Sequence, residues 1–359
     1  MKCRIAVVAP RKMRFSPVNA TSIDLHIHET VRWSDYRDKI TVFAEEIEAP
    51  FTDLSTRFWP KGARTRKIVE TIHETDPTLV VVHQHLPTAS ALARAHKNIP
   101  VALVRHNFMK PARNSLSRFM KRRKFNRLAA LGFVSECCRD DFATNWPEVR
   151  TPLEVVLNGI DGALWKNDQA KDPLVLFVGR IAPEKGMLEA VKALRSVLIG
   201  DEDSRNWRGM FIGATAPEHA DYARTVTTEI NKSQGKITLE TDLRHEEVRH
   251  WMEKASIVLA PTQHTEPFGR VAIEAMACGA VPIATARGGF VEIIGDAGVL
   301  LETPDATSIA KAIGHLIQDD ESRMRLSMAA RDRVIPRYNL STTAATFDSF
   351  VRPFLRETS

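Results

Sequence analysis

The chain has 359 residues, 43% hydrophobic and 26% charged, the balance of a soluble globular protein and not of a disordered or fibrous one. That length exceeds one ordinary core, so two domains of about 150–200 residues each are expected. The formal net charge of +6 is unevenly placed: eleven Lys or Arg and no acid lie between Asp76 and Glu136, leaving the remainder at −5 (6 − 11).

No apolar run reaches the roughly 18–20 residues that span a bilayer. The opening "MKCRIAVVAPRK" lacks a small-residue cleavage site and reads as a first strand. Cys3, Cys137, Cys138 and Cys278 form no CxxC pair and no disulfide-like spacing, which fits a reducing cytoplasm. Peripheral contact with the inner face of a membrane stays open.

In chain order, "RIAVVAP", "ITVFAEEI" and "LVVVHQH" read as strands, "ASALARAHK" as a helix, and "PVALVRHN" as the next strand. "KPARNSLSRFMKRRKFNRLAAL" follows, with Lys110, Arg113, Arg118, Lys121, Arg122, Arg123, Lys124 and Arg127 among Leu116, Phe119, Met120, Leu128 and Leu131. The spacing is that of an amphipathic helix. Residues 110–127 suit an anionic membrane surface or a phosphorylated acceptor, or else form a solvated face with a few core anchors. No nucleic-acid-binding motif accompanies the charge. "LAALGFVS", "CCRDDFATNW" and "LEVVLNGID" close this half, and a polar linker runs from Asp161 to Pro173.

A second series then begins with the strand "LVLFVGR" and the helix "MLEAVKALRSVL". It continues through "WRGMFIGA", "ADYARTVTTEINKS", "KITLETD", "HEEVRHWMEKA", "SIVLAPT", a helix after Gly269, "VPIATA" and "AGVLLE". Apolar strands alternating with helices indicate parallel sheets covered on both faces. The fold class is therefore α/β, with two doubly wound domains facing a cleft and ligands beyond the strand carboxyl ends.

Two turns carry chemistry. After "LVLFVG", Arg180 and Lys185 sit five positions apart around Pro183-Glu184-Lys185-Gly186, where outward amides and two cations suit a diphosphate; the plain alternative is an exposed basic turn. After "SIVLAPT", the loop "QHTEP" leads into "FGRVAIEAMAC". The amides of Phe268, Gly269 and Arg270 lie near that helix N-terminus. Glu266 repels phosphate but accepts hydrogen bonds from sugar hydroxyls, and Glu274, on an alanine-lined face, needs a partner such as a ribose diol. Helix-dipole stabilisation and a solvated position are the respective plain readings.

"FVGRIAPEKG", "APTQHTEPFGRVAIEAMACG", "ARGGFVEII" and "VVLNGID" together resemble the retaining glycosyltransferases of family 4, of GT-B fold and E-x7-E type. The resemblance is dense over residues 155–302 and looser before. It implies an acceptor-binding domain at 1–160, a nucleotide-sugar-binding domain at 161–340, and a C-terminal helix within 341–359 packing back on the first. It implies that Arg180 and Lys185 bind the donor diphosphate, Glu266 the sugar with the Phe268 and Gly269 amides, Arg270 the same site, and Glu274 the ribose. By position, His106 would touch the transferred sugar, acting with Glu266, Lys185 and Arg180 in catalysis, while His85, Ser16 and Asn19 would serve the acceptor. His83 or His85 packed in the core is the competing reading, and a zinc site of His83, His85 and His106 lacks a thiolate or carboxylate.

The donor implied is a UDP- or GDP-sugar as co-substrate, with no cofactor and no metal. The acceptor implied is a glycan or glycolipid hydroxyl, in cell-envelope polysaccharide or lipopolysaccharide core synthesis. The D-x-D at Asp201-Glu202-Asp203 sits in a polar loop and reads as surface. Two departures stand out: the loop "APRKMRFSPVNATSIDLHIHE" has no glycine where the family carries a pair, and "FIGATAPEH" replaces a glycine-rich turn. A dehydrogenase is excluded for want of G-x-G-x-x-G after a strand. A non-catalytic sugar-nucleotide-binding protein of the same fold is the alternative.

Overall fold

The structure is a computed structural model describing residues 4–355 except 12, 14, 19, 167 and 201. It divides into two compact units, residues 1–159 with 340–359, and residues 160–339.

The first unit begins with β1 (Ile5–Val8), α1 (Ser22–Trp33), β2 (Ile40–Glu45) and β3 (Thr56–Trp59). It continues through α2 (Thr65–His73), β4 (Leu79–His83), α3 (Leu86–Ala95) and β5 (Val101–Arg105). The basic helix α4 (Ser115–Phe125), β6 (Ala130–Phe133), α5 (Glu136–Asn145) and β7 (Leu153–Val155) complete this half. All seven strands pair in parallel in the order β3-β2-β1-β4-β5-β6-β7. Val7, Val42, Val81 and Val104 are fully buried, as continuous β-branched runs must be in a sheet covered on both faces.

The long loop after β1 ends earlier than its composition suggests. Thr21 caps α1: its hydroxyl accepts from the Asp24 amide, and Asp24 accepts from the Thr21 amide at 3.0 Å. That reciprocal pair satisfies two amides at the helix start. Ile23, Ile27 and Val31 then bury one face of α1. The loop is fastened by Phe15, which is buried against Phe51 of the segment after β2 at 5.0 Å between ring centres.

The second unit opens with β8 (Asp172–Arg180), α6 (Met187–Gly200), β9 (Arg208–Ala214), α7 (Ala220–Asn231) and β10 (Ile237–Thr241). After α8 (His245–Lys254) and β11 (Ala255–Ala260) come α9 (Arg270–Ala277), β12 (Val281–Thr285), α10 (Gly289–Ile294) and β13 (Val299–Leu301). Helices α11 (Ala306–Gln318) and α12 (Asp320–Tyr338) finish it. Its six parallel strands run in the order β10-β9-β8-β11-β12-β13. In both sheets the order reverses beside the first strand, so the turns after β1 and β8 lie at switch points, where such sheets bind ligands.

The chain returns to the first unit with α13 (Leu340–Val351), whose Phe347, Phe350 and Val351 join that unit's core. Asp348, buried on α13, accepts from the Ser34 hydroxyl at 2.5 Å and the Asp35 amide at 2.9 Å. Burial raises the Asp348 carboxyl above its usual range, and these two donors offset only part of that.

Candidate functional site

In the second unit, two turns that are far apart in sequence are joined by backbone. The Gln263 amide donates to the Glu184 carbonyl at 2.8 Å, and His264 Nδ1 lies 3.1 Å from the same oxygen. Gly186, at φ +71°, makes the approach feasible: a Cβ there would stand 2.1 Å from the Pro261 carbonyl oxygen. A second clamp comes from the Arg287-Gly288-Gly289 stretch. The Gly289 amide donates to the Glu266 carbonyl at 2.8 Å, and a Cβ on Gly289 would stand 2.1 Å from the Phe268 oxygen.

The result is a pinned loop carrying Glu266. Its carboxylate accepts from Lys185 Nζ at 3.0 Å and stands 3.3 Å from His264 Nε2. Burial alone would push the Glu266 carboxyl up, but His264 and Lys185 outweigh it and hold the group at about 2. The same contact to Glu266 raises the His264 imidazole, against the effect of burial. A carboxylate, an ammonium and an imidazole therefore share one oxygen at the end of β11.

Beyond Glu266, Gly269 at φ +107° turns the chain into α9. A Cβ on it would meet the Phe290 ring at 2.5 Å. Phe268 is 4% exposed and packs edge-on to Tyr338, so its side chain serves the core and only its backbone faces the turn. Among the described residues, the amides of Phe268 and Gly269 donate to nothing. One turn into α9, Glu274 is 6% exposed and accepts from Arg270 Nε at 2.8 Å, with His245 Nε2 at 3.6 Å. Burial works against its charge, and His245 and Arg270 together overcome that and lower the carboxyl. Arg180 stands apart from this group: half exposed, it pairs with Glu184 at 2.9 Å.

In the first unit the strand ends of β4 and β5 hold a different arrangement. His83 Nδ1 lies 2.9 Å from His106 Nε2, and the His26 ring of α1 meets the His106 ring edge-on at 5.0 Å. All three imidazoles are buried, with ligand-capable nitrogens within 4.8 Å of one another. Burial first, and the neighbouring rings second, hold His83 and His106 well below the usual imidazole range, so both are neutral near pH 7. One ring donates its N–H to the other's bare nitrogen across the 2.9 Å contact. Gln84 bridges the strand ends, taking the His106 amide on its side-chain oxygen at 3.0 Å with its own backbone at φ +63°. That strained backbone lies where binding sites concentrate it. Arg105 donates to the Gln84 carbonyl, and its burial lowers the guanidinium to about 10.

Two family models match adjoining stretches: "Glycosyl transferases group 1" over residues 163–333 and "Glycosyltransferase Family 4" over residues 22–163. Together they run through both units. The chain thus matches both domains of glycosyltransferases and has the GT-B fold. Alpha-maltose-1-phosphate synthase of Mycobacterium tuberculosis is 28% identical over 230 residues, 57% of this chain and 58% of that protein's length. Lipopolysaccharide 1,2-N-acetylglucosaminetransferase of Salmonella typhimurium is 24% identical over 80% of this chain and 76% of its own. The crystal structure of Anabaena Alr3699/HepE in complex with UDP and glucose superposes with a TM-score of 0.79 at 18% identity, covering 98% of this chain and all of that one. At that identity the likeness shows the fold.

The sequence-expected residues come together only in part. Lys185, Glu266, Phe268 and Gly269 come together at the clamped loop, while Arg270 and Glu274 pair with each other one turn into α9. His85 lies at the N-cap of α3, where Nδ1 contacts Thr88 Oγ1 at 2.7 Å, and burial lowers its imidazole. Ser16 is 1% exposed; its hydroxyl donates to the Ala49 carbonyl and accepts the Val18 amide, which fastens the glycine-free loop. Asn19 and the first residue of the D-x-D stretch, Asp201, lie outside the described residues. His26, His245 and His264 were not singled out in the sequence. His264 alone left a signal there, two positions before Glu266 in the loop; the other two are brought in by α1 and the start of α8.

Proposed function

We propose that the chain transfers a sugar from a nucleoside-diphosphate sugar to a hydroxyl of a glycan acceptor with retention at the anomeric carbon. The observation that carries this is the Lys185–Glu266 pair at 3.0 Å, set beside two amides with no internal acceptor at the start of α9. An anionic diphosphate would draw Lys185 from Glu266, and the freed carboxylate would take hydrogen bonds from sugar hydroxyls. Arg180, half exposed on a short lever with Glu184, would add its planar fork to the same phosphates. The Glu274 carboxylate, held charged by Arg270 and His245, would accept the ribose hydroxyls.

In chemical terms, the bond broken joins the anomeric carbon to the diphosphate oxygen, and negative charge grows on that leaving group. Lys185, Arg180 and the Phe268 and Gly269 amides would stabilise it in the transition state more than in the ground state. The acceptor hydroxyl forms the new bond on the same face, and its proton passes to the departing diphosphate. Electrostatic stabilisation by fixed cations and amides does the work that a divalent ion does in other transferases, so activity is expected to persist in excess chelator. Abolition by chelator with recovery on adding a divalent ion would contradict this.

The donor is proposed as a UDP- or GDP-sugar and the acceptor as an envelope glycan or glycolipid, including the lipopolysaccharide core class. A screen of UDP-, GDP- and ADP-sugars with product analysis tests the reading. Turnover of one of them, lost in Lys185→Ala and Glu266→Ala, supports it. Binding without turnover by the wild type would make the chain a sugar-nucleotide-binding protein instead.

A further inference from the structure

Helix α4 presents two unlike faces. Its inward side ends in Phe125, fully buried against Phe142 and Trp146. On that side Arg118 and Lys121 lie over the Trp146 ring at 4.9 and 5.6 Å, and Arg118 pairs with Glu148 at 2.6 Å. The outward side carries Leu116, Phe119 and Met120, which are 70%, 44% and 48% exposed. Positions 116, 119, 120 and 123 follow the i, i+3, i+4, i+7 rule, so three apolar side chains and Arg123 line one stripe. Of the two sequence readings of this segment, the one that made these apolar residues core anchors does not hold for Leu116, Phe119 and Met120, because Phe125 and Trp146 already fill that contact.

Cations surround the stripe. The guanidinium groups of Arg122 and Arg123 stand 5.3 and 5.7 Å from the Phe119 ring. Among the described residues, Arg122, Arg123, Lys124 and Arg127 make no ion pair, and α4 contains no acid. Three of the eleven exposed large hydrophobics among the described residues thus share one short helix that is also the most basic stretch. A soluble phosphate would neutralise the guanidinium groups yet leave the apolar stripe in water. An anionic bilayer matches both at once, phosphates to the cations and acyl chains to the stripe. No helix among the described residues is long and apolar enough to cross a membrane, so the contact is interfacial.

We infer that α4 docks the protein on an anionic lipid bilayer, lying in the headgroup plane with Leu116, Phe119 and Met120 inserted and Arg122, Arg123, Lys124 and Arg127 on lipid phosphates. The inference is independent of sugar transfer, because docking is read with no donor or acceptor present. The experiment is vesicle co-sedimentation of the full chain with phosphatidylcholine alone and with about one third phosphatidylglycerol. Binding is expected only with the anionic vesicles. It should weaken, without vanishing, at about 0.5 M salt, where the screening length falls to roughly 4 Å.

The L116S/F119S/M120S variant changes exposed positions and no charge, so its thermal transition should match the wild type. Its partitioning should fall by about tenfold or more. F119W should show a blue-shifted emission change on vesicle binding. No binding of the wild type at low salt overturns the proposal. So does undiminished binding of the triple variant, which would mean attraction by charge alone. A wild type that sediments as a dimer without vesicles, while the triple variant sediments as a monomer, would assign the stripe to a second copy of the chain and equally overturn it.

Discussion

At the strand ends of the second unit, opposite charges stand in pairs around a turn whose amides have no internal acceptor; at those of the first, three imidazoles are buried, and burial holds His83 and His106 neutral. Lys185–Glu266 and Arg270–Glu274 are each compensated on the spot, so all four groups stay ionised despite the desolvation that burial imposes. His83 and His106 reach the same end by shedding charge. The contrast teaches which site is poised for an anion. Paired charges can exchange partners with an incoming diphosphate, whereas neutral imidazoles can only donate or accept hydrogen bonds, as hydroxyl groups require.

The sharpest way to break the comparison is to remove one charge from the second unit. Lys185→Ala should lower kcat/KM by about 100-fold or more, since one transition-state donor is worth roughly 2.7–4 kcal/mol. The volume-preserving His83→Gln should cost less than about tenfold under the same assay, because His83 is a neutral packing neighbour. Equal losses in both variants would erase the distinction. Next in size is the clamp: Gly289→Ala places a Cβ 2.1 Å from the Phe268 oxygen. Loss of about 1–3 kcal/mol of stability is expected, with activity falling alongside, as measured by thermal unfolding and turnover.

Glu274→Ala comes third. It removes the carboxylate that pairs with Arg270, 10% exposed at its side chain, and the proposed ribose acceptor. KM for the donor should rise by about tenfold with a smaller change in kcat; an unchanged KM would move the ribose elsewhere.

The smallest effect is on pH dependence. Glu266 falls from 4.5 to about 2 on folding, so its contribution to stability is present above pH 4.5 and is lost as pH falls toward 2. His264 is raised above 6.5, so its contribution is full below pH 6.5 and fades as pH rises through the folded value. Glu266→Gln should flatten both slopes in a denaturation series, and a profile that keeps them would place the titrating groups elsewhere.

Much of this was legible because it is local. Runs such as "LVVVH" announce strands buried on both faces, and "PEKG" and "EPFG" announce turns where a glycine lets backbones meet. What sequence could not give is which partner each charge finds. Arg180 prefers Glu184 within its own turn to the company of Lys185, and Glu274 takes Arg270 and His245. His26 is 57 residues from His83 (83 − 26) and meets it only because α1 packs on the sheet. For α4 the sequence left two readings open, a lipid-facing side or core anchors. An amphipathic pattern fixes that one side is apolar, but Phe125 against Trp146 decides which side is buried.

The central claim is that the Lys185–Glu266 turn receives the diphosphate of a sugar nucleotide. Calorimetric titration of UDP, GDP and ADP into the wild type and Lys185→Met tests it most directly. The account predicts that at least one nucleoside diphosphate binds the wild type in excess chelator, and that Lys185→Met weakens it by about tenfold or more. Equal affinity for both proteins, or no binding by the wild type, would contradict it.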